Sequence, residues 1–282
     1  MTFGYLVARH AFSVVAAIST LTMIGGAPIQ AQQNPAEPRA RAALEQMLAA
    51  YKALDAYHIR VKWTANYRGA AADDFPPPGP DELELKMQRP NKFFMSAATK
   101  QDGKTWSYRV VSDGTSLWFW RSSTNTYMQA AAPSTLSGMV KLLPDDAIGT
   151  HTGNEWNADS ILEWDLLAAG VDPALMWTGT GLVMTLGPPE QMNNTAVDVI
   201  QLKTPAEAVA LFGIDTTSTI YLSSASHLVR ALRMVMRGKH PDTGKDFAVT
   251  MQADYQLHDS APRLGVADFT FTPPPGAKRV GR

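Results

Sequence analysis

Alternating apolar and polar residues recur along much of the chain and predict a protein built mainly of β-strands. The alternation is clear at residues 83–87, where leucine and methionine interleave with charged side chains. The pairs Asp102-Gly103 and Asp113-Gly114 each separate two apolar-rich runs, which is typical of hairpins with a type I′ turn. Residues 83–127 therefore predict an antiparallel meander.

One predicted strand of this meander, residues 116–121, is apolar on both faces. Leu117 and Phe119 point to one side, while Trp118 and Trp120 point to the other. Large aromatic side chains rarely stand together in water, so both sides of this strand need a cover. One cover is ordinary core, and the other could be helices, a ligand or a partner.

Helical patterns precede and interrupt the strands. Residues 40–54 carry apolar side chains at spacings of three and four, which predicts an amphipathic helix. The same period returns in residues 133–173, where Asn157 and Gly170 are suited to cap the better of two helices. Further strands are predicted at 181–186, 196–203, 219–223, 228–237, 247–257 and 268–272, with 204–214 as a short helix or an apolar rim loop. No repeat or linker divides the chain, so we expect one domain.

The N-terminal residues resemble a secretion signal. Arg9 and His10 precede a short apolar stretch, and Ala31 offers a small residue at a cleavage position. We expect residues 1–31 to be a signal peptide and 32–282 to form a single periplasmic domain, although retention as an anchor is the alternative. After cleavage no segment is expected to span a membrane.

Composition excludes several classes of function. The chain has no cysteine, so it has neither disulfides nor a catalytic thiol, and its formal net charge of -1 gives no electrostatic case for nucleic acid. The histidines make no metal-ligand spacing, and we expect no metal and no cofactor. Asp145, Asp146, His151 and Glu155 form the densest polar cluster, which we interpret as turn and cap residues. The protein is therefore not expected to be an enzyme, and a hydrolase is the least favoured hypothesis.

Large aromatic and methionine side chains remain as candidates for a lipophilic cavity or for plain core, because methionine adapts to irregular apolar shapes. Arg230 alternates onto the face of Leu232, Met234 and Met236 and needs a partner there, either a carboxylate at the rim, a lid backbone or a ligand headgroup. The candidate cavity residues are Trp106, Tyr108, Trp118, Trp120, Met87, Trp164, Met234 and Met236, with Arg230 as the polar rim candidate.

The order of these features resembles the LolA-like family, which includes the outer-membrane lipoprotein carrier LolA and the sigma-E regulator RseB. The resemblance is carried by the signal, the helix and strand, the RPNKF motif at 89–93, the two hairpins and the closing FTFTPPPGAK. The resemblance covers roughly 39–278. Within the family, the chain looks similar to an uncharacterised predicted-periplasmic branch. The resemblance implies a mainly β fold with some helix: an incomplete, open antiparallel β-barrel with an N-terminal helix and mid-chain plug helices.

The resemblance also implies a function. A periplasmic, non-catalytic binding or carrier protein for a lipid, a lipoprotein acyl chain or another hydrophobic ligand is the first hypothesis. The alternative is an envelope protein-interaction or stress-sensing module without a transported ligand, with residues 75–80 or 204–214 as its contact. Arg60 alternates onto the polar side of its predicted strand, so the lid-holding arginine of the carrier has no secure counterpart here.

Overall fold

The computed structural model describes residues 37–69, 81–101, 104–140, 183–240 and 243–281. The expected signal peptide, the helix at 157–170 and the Asp102-Gly103 turn lie outside these residues. The chain divides into two compact units, and a single domain over 32–282 stays a prediction. Unit 1 comprises Met1–Tyr51, Thr64–Pro78 and Val171–Asp254, and unit 2 comprises Lys52–Trp63, Gly79–Gly170 and Tyr255–Arg282.

The predicted N-terminal helix is confirmed as α1, Glu37–Ala53. Its alanine, leucine, glutamate and methionine residues are good helix formers. Ala40, Leu44, Met47 and Tyr51 recur at helical spacing and are fully or almost fully buried. A single apolar stripe therefore fixes which side of α1 turns inward.

The predicted meander is also confirmed. Sequential antiparallel pairing joins β1 to β2 and then each strand to the next as far as β6. A short helix, α2 (Leu136–Val140), follows. The strands are β1 Ala56–Gly69, β2 Glu82–Gln88, β3 Lys92–Gln101, β4 Lys104–Asp113, β5 Ser116–Arg121 and β6 Thr126–Ala131.

The hairpin between β4 and β5 differs from the expected turn type. Gly114 alone of the pair Asp113-Gly114 has a positive φ, 97°, so this is not a type I′ turn. The Asp113 carboxylate instead accepts hydrogen bonds from the backbone N–H groups of Thr115 and Ser116, both at 2.7 Å. Aspartate thus serves the turn through its side chain.

The second block of strands contains one short helix, α3 (Ala206–Phe212), which ends at Gly213 in the left-handed conformation. The helical alternative for residues 204–214 is therefore correct. The strands are β7 Val183–Leu186, β8 Glu190–Met192, β9 Thr195–Lys203, β10 Ile214–Ser223, β11 Val229–Lys239 and β12 Asp246–Asp259.

The strand expected at residues 268–272 is wrong. A 3-10 helix, Val266–Phe269, occupies its start, and the chain then runs without strand pairing to β13, Lys278–Arg279, which pairs in parallel with β6. The alternating Phe-Thr-Phe-Thr pattern looked like a strand, but the prolines that follow donate no hydrogen bonds. We call residues 264–280 the C-terminal strap.

The described strands form one large sheet in the order β13-β6-β5-β4-β3-β2-β1-β12-β11-β10-β9-β7, with β8 beside β9. Neighbouring strands from β1 to β6 and from β7 to β12 pair antiparallel, whereas β13 pairs parallel with β6. Among the described strands, β13 and β7 end the order and do not pair with each other, so the sheet is open. This confirms the predicted mainly β fold with an unclosed antiparallel sheet.

Candidate functional site

The meander has a core face on which apolar residues align from strand to strand. Ile59 lies opposite Leu85, Leu85 opposite Met95, and Met95 opposite Val110. All four are at most 1% exposed. Residues opposite each other in an antiparallel pair share a face, so these side chains form a continuous row of core.

Three of the predicted cavity residues belong to this core face. Met87 pairs with Phe93 and is fully buried. Tyr108 pairs with Ala97, and Trp106 pairs with Thr99, closer to the end of the strand. Tyr108 and Trp106 are only half-buried. Met87 is thus part of the packed interior, while the two aromatic residues lie toward its edge.

Trp118 and Trp120 lie on the opposite face, which we call the strap face. Trp118 pairs with Val111, and the Trp118 ring stacks on Phe271 of the C-terminal strap with centroids 5.8 Å apart. Trp120 donates its indole N–H to the Asn125 side chain at 3.2 Å. The sequence pattern required a cover for the second apolar face of β5. Over Trp118, the C-terminal strap of the same chain provides it.

Polar contacts also hold the strap against this face. Lys86 Nζ lies 2.9 Å from an Asp268 carboxylate oxygen. A backbone hydrogen bond from Gly265, together with Lys86, lowers the pKa of Asp268. Phe269, between Asp268 and Phe271, is 1% exposed. A buried ring and an ion pair thus hold the strap in addition to the Phe271 stack and the pairing of β13 with β6.

Glu84 is at the centre of the remaining charges on the strap face. Its carboxylate accepts a hydrogen bond from His58 Nε2 at 2.9 Å and lies 3.6 Å from Lys86 Nζ. Partial burial alone would raise the pKa of Glu84, but the His58 hydrogen bond and the charges of Lys86 and Arg60 lower it overall. The negative charge of Glu84 is thus balanced by the neighbouring basic side chains.

The RPNKF motif, which carried the family resemblance, has a structural role. Arg89 Nε donates to the backbone oxygen of Leu54 at 2.7 Å. Asn91 Nδ2 donates to the backbone oxygens of Gly114 and Pro133 at 2.9 and 2.8 Å. The motif therefore ties the turn between β2 and β3 to the next hairpin and to the end of the meander.

One side of the unit 1 strands is mostly apolar and buried, and we call it the methionine face. Across β7, β9, β10, β11 and β12, the residues Met184, Leu202, Ser218, Met234 and Met251 lie opposite one another in register. Met234, Met236, Phe247, Val249 and Met251 form one buried cluster, against which Tyr67 and Ile214 pack. Burial raises the pKa of Tyr67.

The opposite face of the same strands is polar. Gln201 lies opposite Thr219, Thr219 opposite Arg233, and Arg233 opposite Gln252. Arg233 and Gln252 are exposed. The strands of unit 1 thus have one apolar, buried face and one polar face, as is common in antiparallel sheets.

Arg230 lies at an irregularity that the sequence pattern did not reveal. Tyr221 pairs with Ala231 and Leu222 pairs with Val229, so Arg230 is an extra residue in β11, as in a β-bulge. A bulge interrupts the alternation of side chains between the two faces of a strand. That Arg230 shares a face with Met234 and Met236 therefore stays a prediction. Arg230 is half-buried, and its buried Nε has no hydrogen-bond partner in the described part of the chain.

Within unit 2, the predicted cavity residues lie on both faces of the strands. Met87, Trp106 and Tyr108 share the core face of unit 2, Trp118 and Trp120 lie on its strap face, and Met234 and Met236 belong to unit 1. Trp164 and the polar cluster at 145–155 lie outside the described residues. Phe247, Val249 and Met251 join Met234 and Met236 through the pairing of β12 with β11, a partner that the pattern within one strand does not identify.

The described ranges contain neither a candidate metal site nor a candidate membrane-spanning helix. They contain no group of three or more His, Asp or Glu side chains placed to hold a metal ion. They also contain no helix that is both long and apolar enough to cross a bilayer.

Sequence comparison supports the resemblance inferred above. A model of the family described as "Predicted periplasmic protein (DUF2092)" matches residues 40–153, which include the RPNKF motif and both hairpin turns. The expected similarity to a predicted-periplasmic family, and with it the expected address, is confirmed for this part of the chain. Comparison with curated proteins gives no match.

Solved structures with some similarity come from several bacteria. The lipoprotein LppX of Mycobacterium tuberculosis is 14% identical, with coverage of 82% of this chain and 99% of LppX and a TM-score of 0.38. A putative outer membrane lipoprotein-sorting domain from Vibrio parahaemolyticus is 9% identical, with 82% and 96% coverage and a TM-score of 0.30. The Pseudomonas aeruginosa MucA/MucB complex is 9% identical, with 83% and 61% coverage and a TM-score of 0.32. TM-scores below 0.5 carry no functional argument.

Proposed function

We propose that the protein is a periplasmic, non-catalytic binding or carrier protein for a hydrophobic ligand such as a lipid or a lipoprotein acyl chain. The observation that carries this proposal is the methionine face of unit 1. Met234, Met236 and Met251 cluster with Phe247 and Val249 on one side of the strands, while the other side is polar. Residues 32–282 would act as one domain in this role.

The chemistry of the face suits an acyl chain. Methionine is unbranched and polarizable, so its side chain adjusts to ligands of irregular shape. Each CH₂ group that leaves water contributes about 0.8 kcal/mol, and a long chain therefore binds without any catalytic group or cofactor. The methionine-rich composition of the face is what an adaptable apolar site requires.

The first experiment asks whether the protein carries a ligand. Protein purified from the periplasm would be examined by native mass spectrometry and its extract analysed for lipids, and delipidated protein would be titrated with a fluorescent acyl probe. We expect a co-purified lipid mass and saturable probe uptake. A protein without bound lipid that also fails to take up the probe would reject the carrier proposal.

The second experiment locates the ligand. Met234→Lys places a charge on the methionine face and should weaken probe binding by about tenfold or more, since each 1.4 kcal/mol is a factor of ten. Met234→Phe fills space with less risk to folding and should also weaken it. Thr219→Lys, on the polar face of the neighbouring strand, is the matched control. Full uptake by folded Met234 variants would place the ligand elsewhere.

A second candidate function is a protein-interaction module of the envelope. It is favoured by Leu211 on α3, which is 73% exposed although leucine is usually buried. Crosslinking in envelope extracts should capture a partner that Leu211→Ser releases and that Glu207→Gln retains. A chain that stays monomeric and uncrosslinked would eliminate this candidate.

A further inference from the structure

Arg230 and Ser226 bring two unsatisfied polar atoms to the same end of unit 1. Arg230 Nε and Ser226 Oγ are both buried, and neither has a hydrogen-bond partner among the residues that the structure describes. Leaving a buried donor unpaired costs roughly 1 to 3 kcal/mol, and more when the group is charged. Two such atoms near one turn leave a guanidinium and a hydroxyl donor available to an acceptor.

The turn between β10 and β11 fixes where these groups stand. Ser223 N–H donates to the Leu228 oxygen at 2.9 Å, and His227 N–H donates to the Ser223 oxygen at 2.8 Å. Ser226 N–H donates to Ser223 Oγ at 3.3 Å. Ser223 is only 2% exposed. This bonded frame holds Ser226 within the turn, and Arg230 follows two residues after Leu228, at the bulge.

The carboxylates that register places nearest to Arg230 have other partners. Asp198 lies opposite Leu222, and its Oδ1 accepts a hydrogen bond from Ser224 Oγ at 3.0 Å. Asp254 lies opposite Ala231, and its Oδ1 accepts one from Gln252 Nε2 at 2.7 Å. Neither forms an ion pair with Arg230 within the described ranges. The guanidinium therefore keeps a positive charge that these acids do not offset.

We propose that Arg230 and Ser226 form an oxyanion subsite that takes a phosphate or carboxylate group. Guanidinium groups match such anions with parallel, charge-assisted hydrogen bonds, and a serine hydroxyl adds a further donor. The anion is either the headgroup of the hydrophobic ligand, in which case the inference rests on the proposed function, or a free anion. The bulge would serve to aim Arg230, since bulges redirect side chains.

The test separates the headgroup from the free anion. Delipidated full-length protein would be titrated calorimetrically with a lysophosphatidylglycerol, with a monoacylglycerol of the same chain length, and with inorganic phosphate alone. We expect the anionic lipid to bind about tenfold tighter than the neutral one, because charged hydrogen bonds contribute more than neutral ones. Arg230→Gln should abolish this difference while leaving monoacylglycerol binding unchanged.

Controls keep the two proposals distinguishable. Arg233→Gln, on the same strand but on the polar face, should bind all three probes as the wild type does. Ser226→Ala should lose part of the preference, and Arg230→Lys, which keeps the charge, should retain part of it. Phosphate binding that requires Arg230, without binding of either lipid, would support the subsite and reject the carrier function. Equal behaviour of wild type and Arg230→Gln, or no anion binding at all, would overturn the subsite.

Discussion

The two units differ in what covers the faces of their strands. In unit 2 the core face is packed and the strap face is overlain by Phe269 and Phe271. In unit 1 the methionine face is apolar and the opposite face, with Arg233 and Gln252, is exposed. A strand with two apolar faces therefore does not require a ligand, because another segment of the chain can cover the second face.

The strap covers Trp118 in unit 2, and our proposed function therefore rests on the methionine face of unit 1. Trp118 stacks on Phe271 of the same chain, so a tryptophan on the second face of β5 is covered without a ligand. The methionine face has the adaptable side chains expected of a binding site.

The largest effect is expected from Phe269→Ala. Removing a ring that is 1% exposed should lower the free energy of unfolding by about 3 to 5 kcal/mol, because the cavity adds to the lost burial. Urea denaturation would measure it. Val266→Ala, three residues earlier and 78% exposed, is the control and should change stability by less than about 0.5 kcal/mol. Equal, small effects for both variants would mean that the strap does not close the second face.

Asn91→Ala should have an intermediate effect. It leaves the Gly114 and Pro133 carbonyls without their side-chain donor, at a cost of about 1 to 3 kcal/mol. Thermal and urea unfolding would measure the loss, with Gln129→Ala as control because Gln129 is exposed and its hydrogen bond is 3.5 Å long. An unchanged midpoint would show that the RPNKF motif does not brace the meander.

A smaller effect is expected for the coupling between Trp118 and Phe271. A double-mutant cycle with Trp118→Leu and Phe271→Leu should give an interaction free energy of about 0.5 to 1.5 kcal/mol, as for other stacked aromatic pairs. A control cycle that combines Trp118→Leu with Thr272→Ala should give no interaction free energy. Full additivity in both cycles would contradict the contact between strap and meander.

The smallest effect is expected from Asp268→Asn, because the pair with Lys86 is partly solvated and such pairs contribute about 0.2 to 1 kcal/mol. The pKa of Asp268 is lowered in the fold, so its stabilisation is present above the ordinary value of 3.8 and is lost as pH falls through the lower folded value. The stability gap between wild type and variant should therefore close in acid.

Asp246→Asn is the control for this pH series. Its pair with Lys239 has the same 2.9 Å distance, but the side chains are 85% and 70% exposed. It should show almost no gap at any pH. A gap for Asp268→Asn that widened in acid would contradict the stated direction of the pKa shift.

Local periodicity predicted most of the fold. The helix at 40–54 and the strand at 247–257 were placed to within a few residues of α1 and β12. Both patterns are continuous over many residues, and such long amphipathic runs are decided by burial of one face. The meander followed for the same reason, with its turns punctuated by glycine.

The contacts between the strap and the meander could not be predicted, because they join residues that are distant in the sequence. Phe271 meets Trp118, and Asn125 donates to the Pro275 oxygen across a separation of 150 residues. Nothing in the local pattern near Trp118 identifies that partner. For the same reason, the sequence pattern left a ligand, a partner or helices as the candidate covers of β5. It also predicted a strand at residues 268–272.

The bulge at Arg230 shows a second limit. Alternation was read as unbroken from Leu228 to Met236, yet one extra residue shifts the pairing between Val229 and Ala231. A bulge leaves the residue types unchanged and alters only the register with the neighbouring strand. Its position is therefore a property of the pairing, and the surroundings of Arg230 had to be read from the structure.

The strap also imposes an order on biosynthesis. Ribosomes make the tryptophan-bearing strand, residues 116–121, well before they reach residues 264–280. Until those residues arrive, the nascent strand has an uncovered aromatic side, and contacts of such long sequence separation form slowly. The strap can therefore cover the second apolar side of this strand only when the chain is almost complete.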